Sequence, residues 1–251
     1  MKLLLIRHGD PDYEKDSLTE KGFIEAELLA KRLANTDIDY YYVSPLGRAK
    51  NTAAPTLEAK NATATECDWL REFQGTCLRP DKNKEIICWD WLPGDWAGDP
   101  LFYNKDKWLD SPLWHSSSAL GDKSENIRHE YEYVTDSFDK LMENHGYKYN
   151  KIGGYYDVIT PNNDTIAFFC HYGVSIVILS HILGISPMPL WHGLVAAPSS
   201  VTTIATEERI KGIAHFRVSS YGDTSHLFVA GESPAFAARF CECYDNTDER
   251  H

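Results

Sequence analysis

Residues 1–13 read MKLLLIRHGDPDY, and the four aliphatic residues Leu3–Ile6 run straight into Arg7, His8 and Gly9. A short continuous apolar run closed by charge and glycine is the pattern of a strand buried on both faces, as in the middle of a parallel sheet. The next stretch, DSLTEKGFIEAELLAKRLANT (16–36), predicts a helix capped by Ser17 or Thr19, with Ile24, Leu28, Leu29 and Leu33 on its apolar face. The order repeats at IDYYYV (38–43), a β-rich run followed by Ser44-Pro45, where proline suits a helix's first turn. It repeats again in TIAFFCHYGVSIVILSHILG (165–184), a strand over 165–170, a turn at His171–Gly173 and an apolar helix ending near Gly184. Strands alternating with helices predict an α/β fold, a three-layer α/β/α sandwich with a mostly parallel central sheet. SSVTTIAT (199–206) and IAHFRVSS (213–220) read as an antiparallel pair closing it.

The 251 residues, 43% of them hydrophobic, can bury one sizeable core, and we expect a single domain over 1–251. Residues 73 to about 125 interrupt the rhythm: they hold five of the seven tryptophans and no sustained period, which predicts an inserted, lid-like segment over the sheet. Those tryptophans could form a second core or touch substrate. A helix over 124–145 returns the chain to the scaffold, NHGYKYNKIGGYYDVITPNND (144–164) reads as a loop, and the tail from about 240 is polar.

A formal net charge of -12 argues against nucleic acid or an anionic membrane surface as the main partner, since both are polyanions. It leaves room for a small phosphorylated substrate in a locally positive pocket. Leu3–Ile6 is too short for a secretion signal and no run reaches membrane-spanning length. Six cysteines, at 67, 77, 88, 170, 241 and 243, form no CxxC pair, so they are expected as reduced thiols in a cytoplasmic protein.

Ligands of open parallel sheets bind at the carboxyl ends of the strands. Arg7 and His8 follow the first strand there, Arg48 follows the second, and His171 follows the late one. Two guanidiniums and two imidazoles around one crevice suit a phosphoryl group, because arginine pairs with its oxygens through a planar fork at every working pH. Tyr172, beside His171, joins this phosphate-binding set. Helix N-termini near Ser44 and His171 add backbone donors, and Gly9 and Gly173 allow close backbone approach. His8 is the expected nucleophile, accepting the phosphoryl group on a ring nitrogen, with His171 beside it in the catalytic set. The leaving alkoxide then needs a proton. Glu72, in WLREFQG, is the acid best placed by context, with Asp10, Asp12 and Glu14 as competitors behind RHG. No metal and no cofactor is called for.

Arg7-His8-Gly9, SLTEKG, SPLGRAKNTA around Arg48, LREF around Glu72, CHYG around His171 and YGDTSHL near the C-terminus together resemble the histidine phosphatase, or phosphoglycerate mutase-like, superfamily. The similarity covers roughly 1–72 and 165–230. It implies a phosphohistidine at His8, a phosphate pocket of Arg7, Arg48 and His171, and Glu72 as the acid. DPDY after RHG departs from the family's E-T-x-x-N continuation, so an asparagine that often helps hold phosphate is absent. The expected activity is metal-independent hydrolysis of phosphate monoesters. A phosphoglycerate mutase-type transfer and a non-catalytic phosphate-binding module are the alternatives. Against the mutase, acids outnumber bases nine to six over 73–125, whereas holding a bisphosphate calls for added positive charge. Cys241 and Cys243 with His251 lack zinc-module spacing, Cys170 reads as a core thiol, and His181, His192 and His226 as structural histidines.

Overall fold

The computed structural model describes residues 1–79, 84–116, 124–236 and 242–246. The first half of the chain runs β1 (Lys2–Arg7), α1 (Glu20–Leu33), β2 (Tyr40–Val43), α2 (Gly47–Lys60), β3 (Thr65–Glu66) and a hairpin of β4 (Thr76–Arg79) and β5 (Lys84–Ile87). The second half runs α3 (Ser124–Asn144), β6 (Tyr147–Asn150), β7 (Tyr155–Val158), β8 (Thr165–Cys170), α4 (Tyr172–Leu183), α5 (Pro187–Gly193), β9 (Val201–Ile210), β10 (Ile213–Asp223) and α6 (Ser225–Ala230). Eight strands form one sheet in the order β3-β2-β8-β1-β9-β10-β7-β6.

The sheet is mixed rather than mostly parallel. β3, β2, β8 and β1 pair in parallel, while β9, β10, β7 and β6 add antiparallel ladders on the other side of β1. The antiparallel pair read from 199–220 is present, but it is prolonged by a hairpin, β6–β7, in the stretch read as a loop. Gly146, Gly153 and Gly154 drew that reading, although Tyr147 and Tyr149 already showed the alternation of a strand.

Alternation along β1 sorts its side chains between two layers. Leu3 and Leu5 join Phe168 and Cys170 of β8 in a cluster with Val134, Phe138 and Met142 of α3 and Val174–Leu179 of α4. Leu4 and Ile6 join Ala167 and Phe169 against Leu29 and Leu33 of α1 and Ala49 and Ala53 of α2. Helices therefore cover both faces, giving three layers. Thr19 caps α1 by accepting from the Gly22 N–H at 3.1 Å, and Gly184 ends α4 with φ of 65°, a left-handed conformation that favours glycine.

In the segment after β5, Trp91, Trp96, Phe102, Trp108 and Trp114 are buried in the same cluster as β1, α3 and α4. The Trp114 indole N–H donates to the Trp108 carbonyl at 2.8 Å. Trp89 alone of that segment's tryptophans is only partly buried. Part of the expected insertion and tail, with Cys241 and His251, lies outside the described residues.

Candidate active site

Sheet register assembles the site. Arg7 pairs with Cys170 and Phe169 with Val43, so the next residues on three parallel strands, His8, His171 and Ser44, leave the sheet side by side. The His8 N–H donates to Cys170 O at 3.0 Å, the Arg7 N–H to Ser200 O at 3.1 Å, and the Ser199 N–H to His8 O at 3.0 Å. The post-β1 turn is thus tied to both neighbouring strands. The two imidazole centroids lie 5.0 Å apart, and both rings are buried, His8 2% exposed and His171 0%.

His8 Nδ1 lies 2.7 Å from the Gly9 carbonyl, which can only accept. Nδ1 therefore carries the proton, and Nε2 keeps its lone pair. Burial, reinforced by Arg7, pushes the His8 pKa down to about 3, so the ring stays neutral and nucleophilic. His171 Nε2 lies 2.7 Å from Ser44 Oγ, which accepts the Leu46 N–H at 3.2 Å. When Ser44 donates its own proton to Nε2, the His171 proton sits on Nδ1, a buried atom with no hydrogen-bond partner among the described residues. Arg48 Nε is buried in the same condition. Both are donors that an anionic oxygen would satisfy. Burial first, then His8, Arg48 and Arg7, hold the His171 pKa well below its usual value.

Arg7 Nη1 donates to Ala196 O at 2.5 Å, and its guanidinium lies 5.7 Å from the centroid of Tyr172. Arg48 is anchored by Asp16 Oδ1 at 2.7 Å, whose other oxygen accepts the Gly47 N–H at 2.7 Å. That is a correction to the sequence reading: α2 begins at Gly47 rather than at Ser44-Pro45, and its first donor is taken by Asp16. Ser44 is instead committed to His171. Gly9 also serves differently from expectation. A Cβ there would lie 2.7 Å from Gly22 O, so its bareness lets the loop meet α1 rather than the crevice. The Gly9 N–H donates to Thr52 Oγ1 at 2.9 Å, tying the loop to the helix that carries Arg48.

Glu72 reaches the N-terminus of α4. Its Oε1 accepts the Phe73 N–H at 2.8 Å and the Val174 N–H at 3.1 Å, which leaves Oε2 to carry a proton. Burial raises its pKa against the opposing pull of those donors and of Arg7. Of the competing acids, Asp10 Oδ2 accepts from Thr19 Oγ1 at 2.8 Å, Asp12 Oδ2 binds Lys15 at 2.9 Å, and Glu14 is exposed. Tyr172 directs its hydroxyl to the carbonyls of Trp191 and Leu194, at 2.6 and 2.8 Å. What its side chain offers the crevice is therefore its ring.

Sequence reasoning missed Asp16, Thr52 and Glu25, and it missed the contact of the Ser44 hydroxyl with His171. Glu25 had a signal, an acid on the buried stripe of α1 between Gly22 and Leu29. The histidines read as structural have structural partners: His181 Nε2 lies 2.9 Å from Asp139, His192 Nδ1 2.8 Å from Met188 O, and His226 Nε2 3.0 Å from Ser199 Oγ. Burial pushes the Cys170 thiol up to about 12, which makes it inert.

A strand-end histidine of fixed tautomer, set among two arginines and a second histidine, is an arrangement whose charge and donors suit an anionic group. Residues 3–145 match the histidine phosphatase superfamily (branch 1), and the chain belongs to that superfamily. A probable phosphatase of Schizosaccharomyces pombe is 42% identical over 69 residues, 24% of this chain and 33% of its own length. Phosphoserine phosphatase 1 of Hydrogenobacter thermophilus is 33% identical over 82 residues, 29% of this chain and 39% of its own. The matched stretches thus span only a third to two fifths of those relatives. Phosphoserine phosphatase of Entamoeba histolytica, solved with phosphoserine, superposes with a TM-score of 0.55 at 19% identity, over 90% of this chain and 98% of its own. Mycobacterial glucosyl-3-phosphoglycerate phosphatase gives 0.56 at 16%, over 89% and 99%. At these identities the structural likeness is one of fold.

Proposed function

We propose that the chain is a phosphatase that hydrolyses small phosphate monoesters through a phosphohistidine on His8, without a metal. The observation that carries this is the hydrogen bond from Nδ1 to the Gly9 carbonyl, which fixes the tautomer and leaves Nε2 as the nucleophile. Nε2 attacks phosphorus as the bond to the ester oxygen breaks. Arg7, Arg48 and His171 Nδ1–H hold the equatorial oxygens, and Glu72 Oε2–H passes its proton to the departing oxygen. Glu72, now a carboxylate, then takes a proton from water as that water attacks the phosphohistidine. The P–N bond breaks, inorganic phosphate leaves, and Nε2 regains its lone pair. Preorganised donors in a water-poor crevice make such charge handling effective.

The five described cysteines are all free thiols, which supports the cytoplasm as the proposed compartment. Among the described residues no helix is long and apolar enough to cross a membrane. The test is phosphate release from p-nitrophenyl phosphate combined with rapid quench of labelled substrate. Acid-labile, base-stable label should appear on the wild type and be absent from His8→Ala. Turnover that survives in His8→Ala, or transfer of the phosphoryl group between phosphoglycerate positions faster than its release to water, would overturn the proposal.

A further inference from the structure

The wall beside Glu72 bears on which alcohol carries the phosphoryl group. A Cβ built on Gly173 would lie 2.5 Å from the Trp89 ring and 2.7 Å from Glu72 Oε1, so acid and indole converge over one bare glycine. A general acid works within about 2.6–3.2 Å of the oxygen it protonates. An alcohol whose oxygen meets Glu72 therefore has Trp89 as a neighbour across Gly173. Trp89 lies 6.3 Å from the partly exposed Tyr172 and packs on the buried Trp191 at 5.8 Å and the buried Phe73 at 6.4 Å, centroid to centroid. Tyr172 in turn lies under Arg7, so Trp89 and Tyr172 together link the proposed phosphate end to the acid. Trp89 is also the tryptophan of its segment that keeps part of its surface exposed, while Trp91, Trp96, Trp108 and Trp114 are spent on the core.

Charge points the same way. Among the described residues, Arg7 is the cation that acts most strongly on Glu72, and the phosphoryl group itself claims it. Arg71, next to the acid in sequence, is paired with Asp68 and Glu130, and Arg79 with Asp90. Among the described residues, then, a second anion on the substrate would enter beside an acid and an apolar ring, where an unpaired charge is costly.

We propose that the crevice selects monophosphates of uncharged aromatic alcohols, with Trp89 as the specificity-determining residue, and disfavours the carboxylate-bearing phosphates named for relatives of this fold. The proposal rests on the phosphatase reading above. It is tested by kcat/KM for benzyl phosphate, ethyl phosphate and phosphoserine on the wild type, then on Trp89→Ala, Trp89→Phe and Trp89→Lys. Benzyl phosphate should exceed phosphoserine by tenfold or more. Trp89→Ala should cut the benzyl-to-ethyl ratio by about two- to twelvefold, the worth of one aromatic pair. Trp89→Phe should keep most of that ratio, and Trp89→Lys should shift preference toward phosphoserine. Phosphoserine turned over as well as benzyl phosphate by the wild type overturns the proposal and leaves the phosphatase reading standing, whether or not any variant folds. Phosphate release from none of these esters, nor from p-nitrophenyl phosphate, overturns both.

Discussion

Glu25 is a carboxyl that the fold keeps neutral to a higher pH than usual. It is 1% exposed on the core-facing side of α1. Its Oε2 accepts the Asp10 N–H at 2.8 Å, while Oε1 is buried with no hydrogen-bond partner among the described residues. Burial raises its pKa from the usual 4.5 to about 7, against the opposing pull of the Asp10 N–H. Between those two values the folded chain keeps a proton that the unfolded chain gives up. The neutral state's contribution is therefore fully present below about pH 4.5, is lost as pH rises toward 7, and is gone above it. Two and a half pH units at about 1.4 kcal/mol each give a loss of about 3 kcal/mol. Glu25→Gln keeps the shape and the acceptor but cannot ionise. At pH 5 it should match the wild type to within about 1 kcal/mol. At pH 8.5 it should be more stable by about 3 kcal/mol, or roughly 6–12 °C in Tm for a chain of this length. Thermal and urea unfolding of both proteins from pH 5 to pH 9 measures the difference, in which the titrating groups not coupled to Glu25 cancel. Stability curves that run parallel across that range would refute the reasoning.

Glu72→Gln should slow ethyl phosphate by about 10²- to 10⁴-fold and leave p-nitrophenyl phosphate nearly unchanged, because nitrophenolate departs without a proton; equal slowing of both would make its role structural. Because burial raises the Glu72 pKa, turnover of the alkyl ester should fall as pH rises through that value, more steeply than turnover of the nitrophenyl ester. Gly173→Ala places a methyl 2.5 Å from Trp89 and 2.7 Å from Glu72 Oε1, so it should reproduce the Glu72→Gln pattern by displacing the acid; unchanged alkyl ester kinetics would count against the placement of Glu72. Strong chelators should leave the rate intact and vanadate should inhibit, since the groups proposed to face phosphate are guanidiniums and neutral imidazoles; activity lost on chelation and restored by Mg²⁺ or Zn²⁺ would overturn the metal-free mechanism.

Arg7, His8 and His171 could be placed from sequence because strand ends are marked by an abrupt change from apolar to polar residues, and strand ends are where such sheets bind ligands. Glu72 was legible by motif context, though nothing in the sequence could choose between it and the acids after RHG. What sets Glu72 apart is its contact with a backbone N–H 102 residues away, at Val174. Asp16 escaped notice because its role rests on a backbone turn with φ of 46°, which brings it under Arg48 and Gly47. The sheet's antiparallel half was only partly visible. β6 and β7 sit at its edge, where pairing is decided by the neighbouring strand more than by an apolar run.

β1 sits at the seam of the sheet, with a parallel partner on one side and an antiparallel one on the other. Both partners, β8 and β9, come from the far end of the chain. On a ribosome adding about 5–20 residues per second, the ~160 residues between β1 and β8 take roughly 8–30 s to make. Throughout that interval the Leu3–Ile6 run has none of the neighbours that later flank it. The strand that delivers Arg7 and His8 therefore waits for β8 and β9, and the proposed active site can close only after both have been made.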